Sequence, residues 1–318
     1  MLKMHGWVVR LRTALLVLAL PILFAGITPW VEGLSPSGPG KQDSSATGFK
    51  IQFIHRLGRI ARDELGFKID SNFYKNWQEN DDYYYYIYCS SPDSICNVLK
   101  SPYEYLGTDE EKAKKKKQHY DSLNYQVMVY KTAGTSAARL NKALLSYPYE
   151  TISFIVFHEA FHQHASATGR KLPYEMEEAA CDILGNYITQ MLEKRFSQYS
   201  RKEAKRLVSL HENLYATINK YDSLICITKG NVPTGLYTFC YDDIQKLLKK
   251  SSQFQQDRFS YPINNAYFVR YRFYASNYFL LKKLYLKCGS PQKFMEVMTS
   301  LSKDEEEARK MIEKKLAE

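Results

Sequence analysis

The chain has 318 residues and a formal net charge of +10, with 25% charged and 45% hydrophobic residues. A chain of this length can bury one full core. The basic excess does not point to nucleic acid: Lys112 and Lys114–Lys117 sit together just after Asp109, Glu110 and Glu111, the pattern of a solvated helix face with i,i+4 pairs, and no nucleic-acid module accompanies it.

At the start, Lys3, Arg10 and Arg12 precede the apolar run Ala14–Ile27. This run is short for a bilayer span, so residues 1–31 read as a secretory signal peptide. If Thr28–Val31 extend the run, it becomes an uncleaved membrane anchor instead. The preceding positive charges keep the N-terminus inside, so both readings export the body, to the periplasm or to the outer side of a membrane. Gly, Ser and Pro make 32–48 a flexible linker. One folded domain is expected over 49–318.

Within that domain, Ile51, Phe53, Ile54, Leu57, Ile60, Ala61 and Leu65 recur at helical spacing and predict a helix over 51–66. Aromatic and β-branched residues predict strands over 83–88 and 125–130, with Tyr83–Tyr86 facing both sides of the first. A loop follows at Gly134. Long helices are expected over 175–198, 202–222, 241–251, 265–287 and 291–317. The sum is an α+β fold, predominantly helical with a small sheet. Six cysteines in an exported chain allow disulfides. Cys89 with Cys96 is one candidate pair, and Cys226 with Cys240 is another, bracketing the Gly230–Gly235 turn. Cys181 reads as a buried small hydrophobe rather than a thiolate ligand.

The most informative stretch is His158-Glu159-Ala160-Phe161-His162, which follows the apolar run Thr151–Phe157. On a helix, residues four apart share a face, so both imidazoles can reach one ion. Glu159 projects nearby and is suited to take a proton from a zinc-bound water. His164 lies on another face and is expected at the surface or in a supporting role. A catalytic zinc keeps three protein ligands, and the third is sought in Tyr174-Glu-Met-Glu-Glu-Ala-Ala-Cys-Asp182. Glu178 is preferred because Asp182, one turn on, can hydrogen-bond a ligating imidazole and orient it. Glu177 is the rival, although its four-residue partner is Cys181. Ala179 and Ala180 let the two helices approach closely.

These motifs resemble the family of predicted bacterial zinc aminopeptidases, which are exported gluzincins. The resemblance covers most of 52–315, through Arg62-Asp-Glu-Leu-Gly66, Pro102-Tyr103 with Tyr105, Tyr125–Tyr130, Ala143–Ser146, Phe157–Gln163 and Asn264-Asn-Ala266. It also places the family's ligand Glu on Glu178. The chain departs from the family in having Glu177 where Asn is usual before the ligand, and in lacking an early lipid-attachment Cys. The resemblance implies a zincin-like catalytic domain with one Zn2+ ion, acting on peptide or protein substrates. It also suggests that residues 126–130 form an edge strand able to pair with extended substrate.

The chemistry expected is hydrolysis of a peptide bond, with Glu159 as base and an oxyanion stabiliser still to be supplied. Tyr271, with Arg270 behind it, is the candidate stabiliser. An aminopeptidase also needs acids for the substrate amine, and Glu175 and Glu177 are available. Endopeptidase action, or a non-catalytic exported zinc-binding protein, are the alternatives, although a purely structural metal has no need of Glu159. Membrane contact is expected through the N-terminal apolar segment, with an anionic-surface contact through Lys112 and Lys114–Lys117 as the weaker alternative.

Overall fold

Helical periodicity accounts for most of the architecture. The computed structural model describes residues 44–78, 83–169, 171–228, 232–251 and 261–318. The N-terminal apolar run, most of the linker and the turn at Gly230 lie outside these residues. The described residues form a predominantly helical α+β fold with a three-stranded antiparallel sheet, and all belong to one compact unit. No helix among them is long and apolar enough to cross a membrane.

The first helix, α1 (Ser44–Arg59), starts ahead of the expected boundary at 49, since small polar residues suit a helix start. It runs into a π-helical turn, Ile60–Glu64, closed by the Leu65 N–H on the Ile60 carbonyl at 3.0 Å. Gly66 then turns the chain at φ 76°, a conformation that costs glycine little.

Strands β1 (Tyr84–Ser90), β2 (Glu104–Tyr105) and β3 (Gln126–Thr132) lie in the order β2-β1-β3. Tyr86 pairs with Tyr105 on one side and Tyr130 on the other. The two-residue period of a strand sorts the tyrosine run. Tyr86 and Tyr88 join Met128 and Tyr130 on the main core, whereas Ile87 and Cys89 face α2 (Glu110–Ser122) with Leu106, Ala113 and Val127. The lysine-rich face of α2 is solvated and paired, with Lys114 Nζ 2.8 Å from Glu111 and Lys117 Nζ 2.6 Å from Asp121.

All six cysteines are free. Each expected disulfide would join a buried thiol, Cys89 or Cys240, to an exposed one, Cys96 or Cys226, so neither pair is formed.

The helices that build the site are α4 (Tyr149–Ala167), α5 (Tyr174–Met191) and α8 (Asn265–Cys288). Helix α3 (Lys142–Ser146) precedes α4, and α6 (Arg201–Ile227) and α7 (Thr234–Leu248) lie in the chain between α5 and α8. Helix α5 packs between α4 and α8, and α8 also backs onto β1 and β3. Ala179 and Ala180 are fully buried on α5. Gly185 is where the close approach is tightest: a Cβ there would meet the Phe154 carbonyl oxygen at 2.8 Å. The expected long helix over 291–317 is two helices, α9 (Pro291–Ser300) and α10 (Glu305–Ala317). Asp304 starts the second by accepting from the Glu307 N–H at 2.9 Å. Likewise α5 ends at Met191 and passes into a 3-10 turn, Leu192–Lys194, rather than continuing to 198.

Candidate metal centre

Helices α4 and α5 bring the two motifs together on the floor of a cavity of about 790 Å³. His158 and His162 lie one turn apart on α4, their rings edge to face with centroids 5.1 Å apart. Each Nδ1 is engaged by an acid from α5. His158 Nδ1 lies 2.8 Å from Asp182 Oδ1, and His162 Nδ1 lies 2.7 Å from Glu177 Oε1. An ionised carboxylate only accepts, so each Nδ1 carries the hydrogen and each Nε2 turns toward the cavity floor. Glu178 faces both: its Oε2 is 3.6 Å from His158 Nε2 and its Oε1 is 3.6 Å from His162 Nε2.

Those separations are too long for hydrogen bonds. They suit ligand atoms around one ion, since donors bound at ~2.0–2.2 Å in a tetrahedron stand roughly 3.3–3.6 Å apart. Glu178 Oε2 is also buried without a hydrogen-bond partner. A buried carboxylate oxygen left so is costly unless a cation or donor meets it.

His158, His162 and Cys181 also form a group that could hold a metal ion, offering ligand atoms within 4.8 Å of one another. Cys181, however, is fully buried and does not line the cavity, whereas Glu178 does. Burial, reinforced by the Glu178 and Glu177 carboxylates, pushes the Cys181 thiol well above its usual range.

Electrostatics match this layout. Burial alone would favour neutral His158, but Asp182 and Glu178 override it and hold the imidazole well above its usual value. Burial would likewise raise Glu178, yet His162, His158 and the Tyr174 hydroxyl bring it down to about 2. Asp182 has a second buried partner that sequence reasoning had no means to find, the Tyr215 hydroxyl from α6, which donates to its other oxygen.

Glu159 points into the same cavity and makes no hydrogen bond or ion pair among the described residues. Burial raises its carboxyl, against the pull of His158 and His162. Gly134, in the loop after β3, lies so close that a Cβ there would meet Ile155 Cγ2 at 2.6 Å and Glu159 Oε1 at 3.5 Å. Gln163, one turn after Glu159 on the same stripe of α4, also lines the cavity and ties its rim together. Its Oε1 accepts from the Asp70 N–H and its Nε2 donates to the Ser136 carbonyl, both at 2.9 Å.

Four expected positions take other places or partners. Tyr271 does not line the cavity; its ring packs on Tyr267 with centroids 4.5 Å apart. The cavity face of α8 is carried instead by Arg270 and Tyr274, four residues apart and therefore on one stripe. Glu175 accepts from the Ser276 hydroxyl at 3.0 Å, away from the cavity. Glu177 is neither ligand nor free acid but the partner of His162. His164 is buried rather than superficial, and its Nδ1 accepts from the Lys68 N–H at 3.0 Å.

No family model, curated protein or solved structure matches the chain.

Proposed function

We propose that this chain is an exported zinc-dependent peptidase with a zincin-like catalytic domain, whose ion is held by His158, His162 and Glu178. The observation that carries the reading is the partnerless Glu178 Oε2 facing one imidazole Nε2 while the other carboxylate oxygen faces the second. Glu178 is preferred to Cys181 because both free nitrogens face the carboxylate. Zinc is preferred as the ion because two imidazoles and a carboxylate leave a fourth position for chemistry. A bound Zn2+ supplies Lewis acidity and lowers the pKa of water there.

The residues of the chain do the rest. Asp182 and Glu177 hold the imidazoles in the tautomer that presents Nε2. Glu159 has no competing partner, so it takes a proton from the attacking water and returns it to the leaving amine. The Tyr274 ring stacks on His158, and its hydroxyl accepts from Arg270 Nη1 at 3.2 Å. Its own proton is thereby left to meet a developing oxyanion, the role expected of Tyr271. Strand β3 is a sheet edge whose Tyr130 and Thr132 line the cavity, which suits main-chain pairing with an extended peptide. Aminopeptidase action loses its two candidate amine-binding acids, since Glu175 and Glu177 are engaged elsewhere. A non-catalytic zinc-binding role leaves the unpaired, cavity-facing Glu159 without a purpose.

The test is metal analysis and digestion of a peptide library by the wild type and by Glu159→Gln. The proposal expects one zinc per chain in both proteins and cleavage by the wild type alone. Equal cleavage by both, or purified protein that takes up no metal, would end it. The positions of the cuts report which end of a peptide is attacked.

A further inference from the structure

Arg270 is the most unusual charge among the described residues. It is 4% exposed, it lines the cavity, and among the described residues it forms no ion pair with a carboxylate. Its guanidinium sits over the Tyr130 ring at 3.5 Å and within 5.2 Å of the Tyr88, Tyr271 and Tyr274 centroids. Nη1 donates to the Tyr88 hydroxyl at 3.0 Å and the Tyr274 hydroxyl at 3.2 Å. Nε is buried and has no acceptor.

Cation–π contacts and two neutral acceptors offset part of the cost of burying this charge, but a guanidinium without a counter-charge stays costly. The other cation lining the cavity, Lys68, is exposed. The cavity therefore has acids on its α4–α5 side and one dry, unneutralised cation on its α8 side. A peptide carries a group that fits such a cation: a carboxylate is planar and matches a guanidinium edge through paired N–H donors.

We propose that Arg270 and its tyrosine cage form the subsite for a carboxylate of the substrate, either the peptide's C-terminal carboxylate or an acidic side chain next to the scissile bond. This inference rests on the peptidase reading for its substrate class. It makes Arg270 a specificity-determining residue that anchors one end of the peptide while the carbonyl lies over the metal site. Tyr274 bonds to Arg270 and stacks on His158, so anchoring and chemistry share one side chain.

The test compares matched peptides, one with a free C-terminus and one amidated, and one with Glu and one with Gln beside the cleaved bond. The wild type, Arg270→Gln and Arg270→Lys are assayed as zinc-loaded proteins, with zinc content and circular dichroism measured on each. The wild type should favour one carboxylate form by about tenfold to a hundredfold in kcat/KM, mostly through KM. Arg270→Gln should remove that preference while keeping its zinc, and Arg270→Lys should keep part of it. The pair that responds tells terminal from side-chain carboxylate. Wild-type cleavage with no preference within either pair would overturn the inference and leave the peptidase reading standing.

If no peptide is cleaved, binding of hippurate and of its amide is measured by tyrosine fluorescence. Hippurate binding that is lost in Arg270→Gln supports the subsite without the reaction. Equal binding of the two compounds sinks it. Should Arg270→Gln fail to fold, the comparison of wild type with Arg270→Lys decides.

Discussion

Replacing Asp182 by Asn tests the site with almost no change in shape. Asp182 accepts two buried donors on separate oxygens, the His158 Nδ1–H on Oδ1 at 2.8 Å and the Tyr215 hydroxyl on Oδ2. An asparagine has one acceptor oxygen, so one buried donor must then face the amide NH2. Leaving such a donor unsatisfied costs about 1–3 kcal/mol of folding stability. If the donor lost is His158, the imidazole is no longer held in the tautomer that offers Nε2, and zinc affinity should fall about 10- to 100-fold. That corresponds to about 1.4–2.7 kcal/mol of binding free energy. The same change at Glu177, which holds His162, should cost less, because that pair is more exposed: the side chains are 18% and 21% accessible, against 11% and 3% for His158 and Asp182. Zinc affinity is read by competition with a chromogenic chelator, and stability from the denaturant midpoint of the metal-free proteins. Tyr215→Phe serves as control, since it removes the second donor and leaves Asp182 on His158. Unchanged zinc affinity in a folded Asp182→Asn protein would refute the claim that this carboxylate positions a ligand.

Three further outcomes are expected. Cys181→Ala should bind zinc as the wild type does, whereas Glu178→Gln should lose at least tenfold in the same chelator competition; the reverse pattern would move the third ligand to the thiol. Gly134→Ala should lower turnover far more than stability, because its Cβ must displace Ile155 beside Glu159. Turnover at the wild-type rate, with an unshifted melting temperature, would show that the loop yields freely. Finally, His158 is held above its ordinary value of about 6.5 in the metal-free protein. Its protonation therefore stabilises the fold fully below pH ~6.5, and this contribution is lost as pH rises through the elevated value. Zinc requires the neutral imidazoles, so its stabilising effect must grow with pH over that same range. Thermal melts with and without zinc across this window check both signs, and a zinc effect that shrinks as pH rises would contradict the assignment.

What could be read from the chain alone was whatever depends on residues close in sequence. His158 and His162 share a helix face because four residues make about one turn, and the same spacing put Asp182 a turn beyond Glu178. Aromatic and β-branched content marks two of the three strands, and β2 escapes because two residues carry too little of either. What tertiary structure decided was every relation between distant segments. Glu177 and Glu178 are neighbours in sequence, and only the way α5 docks on α4 makes one the partner of His162 and turns the other toward both Nε2 atoms. Tyr215 reaches Asp182 from another helix, with no local pattern to announce it. The choice of Arg270 and Tyr274 over Tyr271 rests on the rotation of α8 against the sheet. Tyr267, Tyr271, Tyr274, Tyr278 and Tyr285 recur three, four or seven residues apart on one stripe of α8, so their spacing does not single out Tyr274 over Tyr271; packing against β1, β3 and α5 sets the rotation.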